Sequence, residues 1–227
     1  MQRFVSATRY LTIWGRFTAT PPSSGAIGAA SVFFPVIGFA LGLVLAFSNY
    51  ALAAYLPTEI LSITLIMVLI LLTGGSHLED LYLTFTARDY RTGAIGAIAL
   101  IMVLLFKAAA LDSIDQKVTV SLLLAPVLAR WTLLVFVFGD HERCEEMAKP
   151  AAQMMKLWHL LLATAGTLAL TSYWLGRRGL WIALVLSALS LLIRNLFYRV
   201  RGVITSHQFG AIIELAETLS LILLASI

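Results

Sequence analysis

Charged side chains are scarce in this 227-residue chain. Only 12% of its residues are Asp, Glu, Lys or Arg, whereas 60% are apolar. Soluble domains ordinarily carry about 25% charged residues, so the composition excludes an ordinary soluble domain. The apolar residues are gathered into runs of roughly 17–25 residues, the length at which a helix spans a bilayer. The composition therefore predicts an integral membrane protein with the lipid bilayer as its surroundings.

Cysteine is almost absent as well. The single Cys144 excludes an intrachain disulfide and a cysteine cluster for zinc or an iron–sulfur centre. The N-terminus has several arginines but no compact apolar core followed by a small-residue cleavage site, so we expect no cleavable signal peptide. The net charge of +4 is spread over the loops, which indicates membrane topology and no nucleic-acid partner.

The apolar runs predict an all-α fold, a polytopic membrane helical bundle of about seven transmembrane helices in a single domain over residues 1–227. Residues 1–25 are mildly amphipathic and end in a breaker cluster, which predicts an interfacial N-terminal segment lying against the headgroups. The first span contains Gly38 and Gly42, a spacing that lets helices approach closely. The predicted spans are residues 29–48, 58–73, 94–111, 119–138, 157–175, 179–197 and 209–226.

The distribution of lysine and arginine orients this bundle. If the N-terminus is cytoplasmic, eleven cations lie in cytoplasmic segments, and the opposite side holds only Lys117, Arg177 and Arg178. This excess fits the positive-inside rule. It predicts a bacterial or archaeal cytoplasmic membrane protein whose N-terminus and loops at 74–93 and 198–208 all face the cytoplasm.

A short polar stretch between two apolar runs is the first candidate for a functional site. Residues 74–81 place two glycines, His77, Glu79 and Asp80 directly after a long aliphatic run. Each such polar group costs free energy at a membrane unless it meets a partner or water. The stretch therefore predicts a site of chemistry or binding.

Four charged residues fall inside predicted spans. Lys107 and Arg130 are expected to face the protein interior or a wet cavity, because intramembrane charges are costly. Glu214 and Glu217 share one face of the last span and would repel each other unless a cation or a shared proton lies between them. Both a metal ion and a structural ion pair satisfy this requirement, and the candidate arginines are Arg91, Arg130 and Arg201.

Carboxylates, flexible glycines and arginines at a membrane surface suit a divalent cation together with phosphate groups. Magnesium prefers one or two carboxylates plus phosphate oxygens, and arginine binds phosphate with two parallel hydrogen bonds. Phosphoryl-type transfer needs mainly positioning and charge neutralisation. These residue types therefore favour a lipid-facing enzyme that joins a phosphate donor to an alcohol.

The motifs also resemble those of a known family. Residues 74–79 read Gly-Gly-Ser-His-Leu-Glu and resemble the Gly-Gly-x-His-Leu-Asp signature of the cobalamin synthase (adenosylcobinamide-GDP ribazoletransferase) family. Further segments agree in the same order along the chain. Residues 10–12 are similar to the family's Phe-Leu-Thr, 34–38 to its Phe-Pro-x-x-Gly, 88–100 to its Asp-Ser-Arg-x-Gly-x-x-Gly segment, and Thr205 with 210–217 to its closing Thr-Gly-Asp-x-x-Gly-Ala-x-x-Glu-Leu-x-Glu.

This resemblance implies a membrane enzyme of cobalamin biosynthesis. The family joins adenosylcobinamide-GDP to α-ribazole or its 5′-phosphate, releases GMP and uses Mg²⁺, so the expected partners are a corrinoid and a nucleotide-type substrate. The oligomeric state stays open, a homo-oligomer included. The residues expected in the site are His77, Glu79, Asp80 and Asp89 for catalysis, Arg88, Arg91, Arg201, Thr205 and His207 for substrate binding, and Glu79, Asp80, Glu214 and Glu217 for the metal.

The chain also departs from the family's pattern. The family's first loop continues Asp-Gly-Leu-Ala-Asp-Thr-x-Asp-Gly, and residues 79–87 occupy the same columns. Glu79 keeps the first acid, while Asp80 stands in the column of the glycine. The closing Gly-Asp pair has become Ser-His. Three acids of the pattern are thereby replaced, by Leu83, Thr86 and His207.

Three readings follow from these departures. The first is a divergent enzyme with a rebuilt site, in which His77 and His207 favour a softer metal than magnesium. The second is a paralogue that has lost metal catalysis and binds a corrinoid, a lipid or a partner protein. The third is a solute or ion carrier that uses the intramembrane charges, although the chain shows no internal repeat of the kind common in carriers.

Overall fold

The chain is helical throughout the part that the structure describes. The structure is a computed structural model, and it describes residues 1–18, 20, 22–86, 93–114 and 117–226. In chain order the α-helices are α1 (Gln2–Leu11), α2 (Ser24–Ala30), α3 (Phe34–Leu52), α4 (Thr58–Thr73), α5 (Ser76–Thr86), α6 (Ala94–Asp112), α7 (Val118–Val137), α8 (Lys149–Met154), α9 (Leu157–Leu175), α10 (Arg177–Arg201) and α11 (His207–Ala225).

The predicted number of about seven spans is not confirmed. Within the described residues, five helical segments are long and apolar enough to cross a membrane, and α4 with α5 gives a sixth if this bent pair is one broken span. Helix α4 has only 16 residues, too few to qualify on its own. Helix α9 forms over the predicted residues 157–175 but is not among the five, since threonines and a histidine dilute its aliphatic residues. The five are Ser24–Leu52, Ala94–Asp112, Val118–Val137, Arg177–Arg201 and His207–Ala225.

Helix α7 is the centre of the bundle. Nearly every residue from Ser121 to Val137 is buried, and α3, α9, α10 and α11 all pack against it. A helix that is apolar on all sides has no solvent-facing stripe and is stable only inside a bundle or a membrane. The other helices are therefore arranged around α7.

Two glycines let α3 approach α7 closely. A side-chain carbon added at Gly38 would lie 2.5 Å from the backbone oxygen of Pro126, and one added at Gly42 would lie 2.8 Å from that of Leu122. Such distances are too short for any real contact, so the two backbones touch where these glycines lie. The packing role predicted for Gly38 and Gly42 is confirmed.

A sharp bend separates α4 from α5. Gly74 and Gly75 have φ angles of 68° and 69°, in the left-handed region that glycine adopts without strain, and the two helices meet at 90°. Helix α5 then packs along α11 and α6. The bend therefore turns the polar residues of α5 towards the beginning of the last helix.

The N-terminal helix packs into the body of the protein. Ala7 and Leu11 on α1 are fully buried and belong to the main hydrophobic core, while Phe4, Trp14 and Phe17 are exposed. The sequence predicts an interfacial segment here, and the structure adds that α1 packs against α2 and α3, while the 3₁₀ helix after α1 lies against the bend.

Candidate functional site

A polar cavity lies between the N-terminal segment and the beginning of α5. Its volume is about 200 Å³, and its wall includes side chains from α1, from the 3₁₀ helix that follows it and from α5. The polar side chains of that wall include Arg9, Tyr10, Arg16, Thr73, His77 and Asp80. Two of the predicted site residues, His77 and Asp80, thus share one cavity.

His77 is buried in the wall of this cavity without a hydrogen-bond partner. Its exposed fraction is 1%, and within the described part of the chain neither ring nitrogen has a partner. An unpaired buried polar group costs roughly 1–3 kcal/mol. His77 therefore has unused hydrogen-bonding capacity beside the cavity.

Tyr10 forms the opposite side of the cavity. Its ring lies 6.5 Å from the His77 ring in an edge-to-face arrangement and 5.8 Å from the Phe34 ring. Burial, reinforced by the charge of Asp80, raises the pKa of the Tyr10 phenol well above its usual range. Tyr10 is therefore a neutral hydroxyl group at physiological pH and can act as a hydrogen-bond donor.

Asp80 joins the cavity to the last helix. The Nδ1 atom of His207 lies 2.8 Å from Oδ1 of Asp80, and this contact connects α5 with the first residue of α11. Oδ2 of Asp80 lies over Gly210, where an added side-chain carbon would come within 2.2 Å of it. The Asp80 carboxylate therefore fits between His207 and the bare backbone of Gly210.

Glu79 faces away from Asp80 and pairs with the N-terminal segment. Its Oε2 lies 3.3 Å from Nη2 of Arg16, and both side chains are more than half exposed. Glu79 does not line the cavity. The adjacent acids of the polar stretch therefore have different surroundings, as expected for neighbours about 100° apart on a helix.

The intramembrane charges form one buried ion-pair network. Lys107 on α6 pairs with both glutamates of α11, at 3.0 Å from Glu217, and Arg130 on α7 pairs with Glu217 as well. All four side chains are buried. Two cations thus balance two anions. Of the two alternatives for Glu214 and Glu217, a metal ion and a structural ion pair, the structure shows the ion pair.

The metal ligands that the resemblance implies are not grouped together among the side chains that the structure describes. Among those residues, no three His, Cys, Asp or Glu side chains are grouped so that they could hold a metal ion. The predicted ligand set is not assembled because each member has a basic partner: Arg16 for Glu79, His207 for Asp80, Lys107 for Glu214, and Lys107 with Arg130 for Glu217. Asp89, Arg88 and Arg91 lie outside the described residues.

The remaining predicted residues lie just before α11. Arg201 is the last residue of α10. The backbone N–H of Thr205 donates to the side-chain oxygen of Gln208 at 3.1 Å, and the Thr205 hydroxyl is buried without a partner among the described residues. This segment is hydrogen-bonded to the loop after α7. The backbone N–H of Glu145 donates to the carbonyl oxygen of Ile204, and the N–H of Ile204 donates to a carbonyl oxygen of that loop.

The single cysteine takes part in this backbone contact, and its thiol is not a candidate nucleophile. The backbones of Cys144 and Ile204 form an isolated parallel β-bridge. Burial of Cys144 raises the pKa of its thiol to about 11. The thiolate is the nucleophilic form of cysteine, so a thiol with this pKa is inert near neutral pH.

The similarity to known proteins covers the segments that form the cavity. The sequence model of the family described as cobalamin-5-phosphate synthase matches residues 3–82 and 87–225. The chain belongs to the cobalamin-5-phosphate synthase family. The match includes α1, the polar stretch and the whole of α11, so the family's pattern covers the cavity and the Asp80–His207 contact.

Three curated relatives of this cobalamin-5-phosphate synthase family member share the same name. An adenosylcobinamide-GDP ribazoletransferase of Geotalea daltonii is 30% identical over 217 residues, 88% of this chain and 87% of the relative. A protein of the same name from Pseudomonas putida is 27% identical, over 96% of this chain and 95% of its own length. Another from Roseiflexus sp. is 28% identical, over 95% of this chain and 86% of its own length. No solved structure matches the chain.

Some residues of the site were missed by the sequence-based assignment. Arg9, Tyr10 and Arg16 line the cavity, yet the amphipathic pattern of their segment predicts only an interfacial helix. The one available signal was the similarity of residues 10–12 to the Phe-Leu-Thr motif, which places Tyr10 in a cobalamin-5-phosphate synthase family motif although the residue type there differs.

Proposed function

We propose that this protein is a membrane-bound transferase that joins adenosylcobinamide-GDP to α-ribazole or its 5′-phosphate and releases GMP. The observation that carries this proposal is the family match, which covers residues 3–82 and 87–225. The names of the curated relatives, which cover most of this chain at 27–30% identity, point to the same reaction.

The cavity supports this reaction class through its chemistry. Arg9 and Arg16 supply cationic groups to its wall, and the buried His77 and the partly buried Tyr10 supply hydrogen-bonding groups. Arginine suits phosphate oxygens in both charge and geometry. The cavity thus has the groups needed to position a diphosphate, and the positive-inside distribution of Lys and Arg favours an opening on the cytoplasmic side.

The reaction is tested directly by measuring GMP release. Purified protein in detergent micelles is given adenosylcobinamide-GDP and α-ribazole, with Mg²⁺, with Mn²⁺, or with a chelator. We expect GMP release that depends on both substrates. Magnesium dependence is a separate prediction from the resemblance, and activity in the chelator arm would contradict it without affecting the transfer assignment.

The replaced acids favour a second candidate, a paralogue that binds a corrinoid without catalysis. Leu83 cannot coordinate a metal ion, and the Asp80 carboxylate is hydrogen-bonded to His207. If folded protein releases no GMP under any metal condition but binds adenosylcobinamide-GDP, this candidate replaces the first.

The predicted catalytic role of Glu79 can be tested with little effect on the stability of the protein. Its pair with Arg16 is exposed, and such pairs contribute at most about 1 kcal/mol. We expect Glu79→Ala to leave the thermal midpoint nearly unchanged and to lower GMP release at least about tenfold. Glu142→Ala is the matched control, because it removes an exposed, ion-paired carboxylate that lies outside the cavity, and it is expected to keep full activity. Full activity of the Glu79→Ala variant would remove Glu79 from the site.

A further inference from the structure

The contact between Asp80 and His207 joins two positions at which the chain departs from the family's pattern. The resembled motifs have glycine in the column of Asp80 and aspartate in the column of His207. These positions are 127 residues apart in sequence, yet their side chains meet at 2.8 Å.

The surroundings hold this pair in a defined position. Ser206, the residue before His207, donates both its backbone N–H and its hydroxyl to Oε1 of Glu145, at 2.7 and 3.0 Å. On the following residue, Gln208 is fully buried and its side-chain oxygen accepts the N–H of Thr205. Gly210 leaves the space that the Asp80 carboxylate fills. The start of α11 is thus fixed on both sides of His207.

The hydrogen bond also sets which ring nitrogen of His207 is available. In the neutral imidazole, Nδ1–H of His207 donates to Oδ1 of Asp80, and this arrangement leaves the lone pair on Nε2. The His207 side chain is 49% exposed, and no described residue is hydrogen-bonded to its Nε2. A carboxylate that orients an imidazole in this way leaves it ready to accept a proton.

We propose that His207 is the general base of the transfer and that Asp80 is the positioning residue that holds its imidazole. This assignment rests on the proposed transfer function. Asp80 also lines the cavity that contains His77 and Tyr10, whereas His207 contacts Asp80 from outside that lining. Asp80 therefore connects the cavity to the proposed base.

The step balances as follows. The hydroxyl oxygen of the ribazole forms a bond to the phosphorus on the cobinamide side of the diphosphate, and its proton passes to Nε2 of His207. The bond between this phosphorus and the bridging oxygen breaks, and the bridging oxygen leaves with the electron pair as part of GMP. Positioned general bases contribute about 10²–10⁴-fold to such steps.

The test compares four variants in the GMP-release assay. We expect His207→Ala to lower kcat about 100-fold, with a much smaller change in KM, and added imidazole to restore part of the lost kcat. Asp80→Asn is expected to lower kcat at least about tenfold, because it no longer fixes the tautomer of the histidine. The matched controls are His141→Ala and Asp112→Asn, which remove the same side chains elsewhere and are expected to keep full activity.

His207→Gln guards against a loss that is only structural. Glutamine can still donate a hydrogen bond to Asp80 but cannot take up a proton near neutral pH, so it is expected to keep the fold and lose kcat. Full activity of His207→Gln or His207→Ala beside an active wild type overturns the dyad alone. A raised KM with unchanged kcat, or a loss that imidazole does not restore in folded protein, also overturns it. An inactive wild type overturns both the dyad and the transfer function.

Discussion

Glu217→Gln is expected to lower the free energy of unfolding by about 3–5 kcal/mol, because it removes one anion from a buried and balanced network. Glu217 pairs with Arg130 and Lys107, and all three side chains are buried. Lys107 keeps Glu214 as a partner, but Arg130 loses its ion pair with Glu217, and the described residues offer it no second carboxylate within 4 Å. The measurement is a denaturant titration in mixed micelles.

Two further variants separate the charge from the shape of the side chain. Glu146 is exposed, so Glu146→Gln makes the same chemical change without burial and is expected to be neutral. The double variant Arg130→Met with Glu217→Met removes one cation and one anion together, and it is expected to recover most of the loss, because apolar replacement of a whole buried pair is often tolerated. If the double variant is as unstable as Glu217→Gln, charge balance is not the reason for the pairing.

Gly38→Leu is expected to cost about 3 kcal/mol or more, because it forces α3 away from α7. The backbone oxygen of Pro126 lies where the first side-chain carbon would have to be. A leucine needs space for three further carbons, and the helices that surround α7 leave little room for it to move. A lowered thermal midpoint, with loss of folded protein on size-exclusion chromatography, checks this expectation.

Gly166→Leu is the matched control for that variant. Gly166 also lies within a long helix, but nothing is found within 4 Å of an added side-chain carbon there. Leucine is a good helix former, so this substitution is expected to be neutral or slightly stabilising. Equal losses in the two variants would show that glycine serves the helices themselves and not the contact between α3 and α7.

The helices could be predicted from the sequence because apolar runs of this length leave few alternatives in a membrane. The predicted spans 58–73 and 157–175 coincide with α4 and α9, and the other five differ from their helices mainly at the ends. The count of about seven spans is not confirmed, because α4 is too short and α9 is not apolar enough to qualify alone. The 90° turn at Gly74 and Gly75 was not predicted either. Left-handed glycine conformations are not visible in a hydropathy pattern.

The site was predictable only where neighbouring residues define it. The polar stretch after α4 and the pair of glutamates on α11 can be seen in the sequence, but their partners cannot. Asp80 meets His207 from 127 positions away, and Lys107 meets Glu214 from 107 positions away. Such pairings depend on how helices rotate and slide against each other. One sequence without aligned relatives does not contain that information.

The ion-pair network also has a consequence for the order in which the protein is assembled. Translation produces α6 with Lys107 and α7 with Arg130 before α11 with its two glutamates. Until α11 enters the membrane, these cations have none of the carboxylates that neutralise them in the finished bundle, so they must reach towards the headgroups or retain water. Insertion of α11 removes this cost, and α6 and α7 then become held at their final depth. Helix α11 thus neutralises these cations during biogenesis, in the same movement that brings His207 to Asp80.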